Sequence, residues 1–166
     1  MGLIRVWNDE ERHHLDEGLK DVSCYLHSAG GICDIIDRFA ERFSGDITIV
    51  EIIYSEWMRC FEYALGLKTP LGNKELNKIL AEQFREKRSL EEGNFVLYQD
   101  RIDGSPTHIA RYMGNGFALS KWVIGPVVRH EVWQVPLSYG DPTRYLERLK
   151  TSSPALSHSY RQLPHS

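Results

Sequence analysis

The chain has no run of about eighteen apolar residues, the length a membrane helix needs, and its opening MGLIRVWNDEERHH has no apolar core of the kind a signal peptide carries. Neither a membrane partner nor secretion through a leader is therefore expected. An excess of one charge is also missing. Lys and Arg number 20 against 23 Asp and Glu, scattered among one another, so no basic field is offered to phosphate backbones and no nucleic-acid partner is predicted. Cysteine is scarce: Cys24, Cys33 and Cys60 are odd in number and unevenly spaced, which excludes a disulfide framework. Cys24, His27 and Cys33 lack a fourth ligand at finger-like spacing, so no metal site is read from them. Val6 stands where a myristoylation motif beginning at Gly2 needs Ser or Thr. A chain of 166 residues buries enough surface to fold without metal or disulfide, and no cofactor is expected. Together these absences predict a cytoplasmic protein, although one exported by a dedicated secretion machine has the same composition.

What is present is an ordinary globular composition, 42% hydrophobic and 26% charged, with no internal repeat, which predicts one domain over 1–150. Asn8 and Glu11 form a capping-box pattern, and Leu15, Leu19, Val22 and Leu26 recur at helical spacing up to Gly30-Gly31. Ile32, Ile35, Ile36, Phe39 and Phe43 describe a second amphipathic helix, making 1–45 a helical hairpin. Residues 47–54, ITIVEIIY, fit a strand or the start of a buried helix equally well. Trp57, Phe61, Ala64 and Leu65 follow a helical period closed by Gly66, which puts Cys60 on a helix. A further helix is predicted from an Asn73 cap through Leu76, Ile79, Leu80 and Phe84 to about Lys87, completing the segment 46–90. From Gly93 the texture changes to FVLYQ, HIARYM, FALSKWVI and VVRHEVWQV, separated by Asp-Gly, Gly-Asn-Gly and Gly-Pro, an antiparallel meander over 93–136. Asn115-Gly116 is a strong hairpin signal within it. A short helix is predicted over 142–150, and 151–166, rich in Ser and Pro without periodicity, is predicted to be a mobile tail. The fold class is α+β.

A helix bearing a cysteine, followed by a meander bearing a histidine, is the order a thiol hydrolase needs, because a thiolate on a helix then meets an imidazole presented by a sheet. The local residues carry a resemblance. Gly93-Asn94-Phe95-Val96-Leu97-Tyr98, then His108-Ile109-Ala110-Arg111-Tyr112-Met113-Gly114-Asn115, resembles the NlpC-type papain-like cysteine peptidases. By that resemblance His108 is the general base. The family's Asp/Asn-Cys pair opening a helix points to Arg59-Cys60, which departs from it in the first residue. Ser120-Lys121, His130 and Tyr139-Gly140 resemble an uncharacterised branch of the same superfamily, with the pattern Asn-Cys, His, Ser-Lys-x-Gly, His, Tyr-Gly. The two resemblances span roughly residues 56 to 148.

The residue orienting the base, by the same resemblance, falls at Ser120, with His130 on the following strand as the other candidate. Register decides what lies beside His108. A three-residue turn pairing Met113 with Phe117 puts Ala118, Ser120 and Trp122 on its face. A two-residue turn pairing Gly114 with Phe117 puts Leu119, Lys121 and Val123 there instead. The resemblance thus implies a papain-like cysteine hydrolase cleaving an amide of a peptide or other acyl substrate, with Cys60 attacking and His108 shuttling the proton. A deamidase or acyltransferase uses the same dyad. The rival reading is a papain-fold binding module without catalysis, favoured by the missing Asp/Asn before Cys60 and the unusual third position. The apolar period, if Ser55 is the cap, puts Cys60 in the second turn, where the dipole has faded, so either the helix starts later or the thiol is less activated.

Overall fold

Helix α1 (Asp9–His27) starts where its cap pattern says it should: the Glu11 N–H donates to Asn8 Oδ1 at 2.8 Å, and the Asn8 N–H donates to Glu11 Oε2 at 3.3 Å. This computed structural model describes residues 4–27, 43, 47–53, 55, 57–122 and 125–150, with the backbone alone for 22–27. The second helix of the expected hairpin, the pair Cys24 and Cys33, and the tail from Thr151 lie outside the described residues or their side chains.

The remaining elements are β1 (Thr48–Ile52), α2 (Cys60–Leu65), α3 (Asn73–Glu82), β2 (Phe84–Lys87), β3 (Phe95–Gln99), β4 (Pro106–Gly114), β5 (Phe117–Lys121), β6 (Pro126–Glu131), a 3-10 turn (Leu137–Tyr139) and β7 (Asp141–Arg148). All strand pairings are antiparallel, in one seven-stranded sheet of order β1-β6-β5-β4-β3-β7-β2. The protein is α+β, and the meander β3 to β6 stands as its sequence pattern predicts. The undecided segment 47–54 is a strand, β1, paired with β6.

Two expected helices are corrected. The helix from Asn73 ends at Glu82, and Phe84–Lys87 is an edge strand on β7: Phe84 is buried, in edge-to-face contact with Phe95 at 5.5 Å, and Arg85, Glu86 and Lys87 continue the pairing with β7. Residues 141–148, expected as helical from 142, are strand β7, filling the slot between β3 and β2. Tyr145, half-buried, and Leu146, buried, pack on opposite sides of that slot, so the alternation that marks a half-exposed strand is blurred.

The sheet separates two cores. On one side Val96, Tyr98, Ala110, Ala118 and Trp122 meet Leu15 and Leu19 of α1. On the other, Phe95, Leu97, Ile109 and Leu146 meet Phe61 and Leu65 of α2 and Leu76 and Leu80 of α3. We call these the α1 face and the α2 face. Arg12, fully buried, ties α1 down. Its guanidinium donates to the Val135 carbonyl at 3.1 Å, to the Gly140 carbonyl, and to Asp141 Oδ1 at 2.6 Å. Gly140 tolerates no side chain: its φ is 82° and a Cβ would lie 2.4 Å from the Gln99 carbonyl oxygen.

Candidate functional site

The β4–β5 hairpin decides the register. Gly114 pairs with Phe117, a two-residue turn with positive φ at both Asn115 (56°) and Gly116 (86°). Neither expected pairing holds throughout, because Met113 is bulged and the ladder resumes at Tyr112 opposite Ala118. The bulge restores the arrangement in which Ala118, Ser120 and Trp122 share a face with His108. Tyr98 lies directly opposite His108 and packs in the α1-face core, while Leu97 lies opposite Ile109 in the α2-face core. Successive side chains of a strand point to opposite sides. His108 therefore faces α1, its ring centroid 4.4 Å from that of Tyr139 and 5.2 Å from that of Tyr98.

Cys60 is on the other side of the sheet. It is the first residue of α2, with Arg59 extended at the cap, so the helix starts later than its apolar period suggested. It packs beside the α2-face core and lines a cleft of about 140 Å³ with Arg59, Phe61, Asn73, Pro106 and Thr107. The expected Cys60–His108 dyad is accordingly not assembled: the two residues belong to opposite faces of one sheet. Burial pushes the Cys60 thiol up to about 11, the neighbouring Glu62 carboxylate adding to the effect and backbone N–H contacts from Ile109 and Phe61 with the Arg59 charge only partly offsetting it. No family model, curated protein or solved structure matches this chain. Its site is described by its own geometry.

Around the thiol, Glu62 is the organising group. Fully buried, it accepts from the Arg59 N–H at 3.2 Å, the Leu71 N–H at 3.2 Å and the Arg59 guanidinium at 3.3 Å, fixing the α2 entry against the loop before α3. Lys121, buried on the same side of the sheet, is held down to about 8, chiefly by burial, with the charges of Cys60 and Glu62 opposing. Sequence reasoning missed both as neighbours of Cys60. The available signals were a lysine inside the apolar run FALSKWVI and a Glu three residues after Arg59 at a helix start.

Ser120 and His130, expected as alternative partners of His108, partner each other. Ser120 Oγ is 2.7 Å from His130 Nε2, and His130 Nδ1 is 2.6 Å from the Glu131 carbonyl oxygen, so Nδ1–H donates to the carbonyl and Nε2 accepts the serine proton. Trp122 Nε1–H donates to the same Ser120 Oγ at 3.1 Å, which makes Trp122 a core anchor. The network is satisfied in its neutral form, and burial lowers His130 to about 4. His108 Nε2 has no hydrogen-bond partner among the described residues, and burial, then His130, hold this imidazole well below its ordinary range. Three of the four expected site residues thus come together as a buried cluster; the nucleophile is apart from them. Among the described residues no metal-binding cluster of His, Cys, Asp or Glu occurs, and no helix is long and apolar enough to cross a membrane.

Proposed function

We propose that this chain is a papain-like, NlpC-type domain acting as a binding module for a peptide or other acyl ligand, and that it does not use a Cys60–His108 dyad. The order of elements supports the scaffold: a cysteine opening a helix, then a meander whose second strand carries the histidine. The observation that carries the non-hydrolytic reading is the sheet standing between thiol and imidazole. General-base catalysis requires the base within hydrogen-bond reach of the proton it removes, directly or through one water. A thiol raised to about 11 is moreover almost wholly protonated at neutral pH. The ligand's place is the cleft beside Cys60, where the polar Arg59, Asn73 and Thr107 stand among the apolar Phe61, Leu71, Leu76 and Pro106, a mixed lining that suits an extended amide with an apolar side chain.

A second reading is favoured by Lys121. A buried lysine titrating at about 8 beside a cysteine has the properties of a general base for acyl transfer at Cys60. One experiment separates the readings. Iodoacetamide labelling across pH, with Cys60 followed by mass spectrometry, is expected to show Cys60 reacting appreciably only above about pH 9, unchanged in His108→Phe and in Lys121→Met. Labelling well below pH 8.5 that Lys121→Met abolishes establishes the second reading. The same labelling abolished by His108→Phe establishes the papain-type dyad and sinks the binding-module proposal.

A further inference from the structure

Among the described residues, the α1 face buries two imidazoles with no carboxylate set against either ring. His108 is 2% exposed and His130 fully buried. Nε2 of His108 has no partner among the described residues, and His130 already uses Nδ1–H as a donor and Nε2 as an acceptor, so a second proton on its ring breaks the bond from Ser120. The charged groups that border them on α1, β6 and β7 are engaged with other partners. From α1, Arg12 is itself a buried cation, and Asp16 accepts from the Ser138 N–H and hydroxyl. From β7, Asp141 is bound by Arg12 and Arg101. From β6, the Glu131 carboxylate accepts from Trp7 Nε1–H and Arg129 lies over Phe117. Tyr98 of β3 donates its hydroxyl to the Val132 carbonyl, and Tyr139 of the 3-10 turn stacks on His108.

We propose that the α1 face is an acid-operated latch: protonation of His108 and His130 lifts α1 and the Leu137–Tyr139 turn off the sheet while the α2 face stays packed. In the closed state burial disfavours a second proton on either ring, and both imidazoles are held below their ordinary range. An open state in which the rings reach water binds those protons near the ordinary histidine value, ~6.5. The sign follows. Both folded values are depressed, so the closed state is fully favoured above about pH 6.5 and loses ground as pH falls. Each histidine contributes about tenfold per pH unit, and the two together about a hundredfold. His130 stops contributing at about pH 4, where it takes its proton even when closed. Opening is confined to one side because the α2 face carries no histidine among its described residues and its own apolar core is continuous.

Amide hydrogen exchange on the full chain at pH 7 and pH 5, corrected for intrinsic rates, tests the latch. The expected result is a loss of protection of a hundredfold or more in α1 and the 137–139 turn, against less than tenfold in α2, α3 and β2. In His108→Phe, whose ring keeps the stack on Tyr139 and leaves no orphaned partner, the dependence falls to about tenfold per pH unit. Equal protection of α1 at both pH values, an equal loss on both faces, or an unchanged dependence in His108→Phe overturns the proposal. Should His108→Phe not fold, imidazole NMR titration of the unaltered chain decides: a midpoint near 4 for His130 and one well below the ordinary histidine value for His108 are expected while closed, and an ordinary midpoint for either ring overturns the latch.

Discussion

The two faces of the sheet solve the same packing problem with different chemistry. The α2 face is a continuous apolar core with its polar groups, Glu62, Arg59 and Lys121, gathered at one place beside Cys60. The α1 face threads polar side chains through its core: Arg12 under α1, Ser120, His130 and Trp122 in one chain of hydrogen bonds, and His108 with Nε2 unpartnered among the described residues. An apolar core resists a lost contact in proportion to the volume removed. A buried polar network fails stepwise, because each deleted member orphans those it served. The difference predicts where the molecule is robust and where it is specific.

The sharpest way to break the comparison is at Arg12. Replacing it with Met keeps the length of the side chain but leaves the Val135 and Gly140 carbonyls without their donor and Asp141 with Arg101 alone. The expected loss is ~3–5 kcal/mol, the range for breaking one partner of a buried ion pair, read as a lower urea midpoint at unchanged m. A loss under 1 kcal/mol would show that α1 is held by Leu15, Leu19 and its remaining polar contacts without need of Arg12. On the α2 face the matching change is Leu97→Ala, a fully buried side chain opposite Ile109, with an expected cost of ~3 kcal/mol from transfer and cavity. It should also speed alkylation of Cys60, whose packing borders the cavity, while leaving exchange in α1 unchanged. A cost confined to α1 would invert the assignment of faces.

Much of the architecture was readable from residue pattern alone, and the places where it was not share a cause. The α1 cap, the meander and the Asn115-Gly116 hairpin depend on neighbours within four residues, and the chain spells those out. Strands β2 and β7 form because each finds the other across sixty residues, and β7 packs Tyr145 and Leu146 on opposite faces, so its local pattern reads as neither strand nor helix. The candidate site divides in the same way. His108, Ser120 and His130 lie on one face because strand alternation, shifted by one bulged residue at Met113, places them there, but Ser120 and His130 bond each other and not His108. That Cys60 belongs to the opposite face depends on which side of the sheet α2 takes, and no local residue reports it. His108 is flanked by Thr107 and Ile109, and its face follows from the turn register, which the order of elements and the resemblance left open.

Ser120→Ala is the next smaller test, and it probes whether the α1-face network acts as a unit. The substitution removes the acceptor of Trp122 Nε1–H and the donor to His130 Nε2 at once. An expected cost of ~2 kcal/mol follows from leaving two buried polar atoms unpaired, with little contribution from volume. Ser120→Cys, which restores only a weak donor and acceptor, should recover part of it. Equal stability of Ser120→Ala and the unaltered chain would mean that the two rings are satisfied without the serine, and the network would reduce to packing.

The smallest effect belongs to the helix ends, where the two faces differ least. Asn8→Ala removes the side-chain acceptor of the Glu11 N–H at the start of α1, a loss expected at ~1 kcal/mol from capping alone. Gly66→Ala at the end of α2 meets no steric neighbour within 4 Å but places a Cβ on a residue at φ 67°, for a similar ~1 kcal/mol. Both changes lie outside the buried layers, so their costs should add in the double variant to within ~0.5 kcal/mol. The two single variants should nevertheless part company on acidification. Weakening the α1 cap favours the state in which α1 has left the sheet, and Asn8→Ala is expected to move the onset of α1 exchange to higher pH. Gly66→Ala lowers stability by the same amount on the other face and should leave that onset where it was. If the two variants shift it equally, α1 does not open by itself, and the faces behave as one cooperative unit.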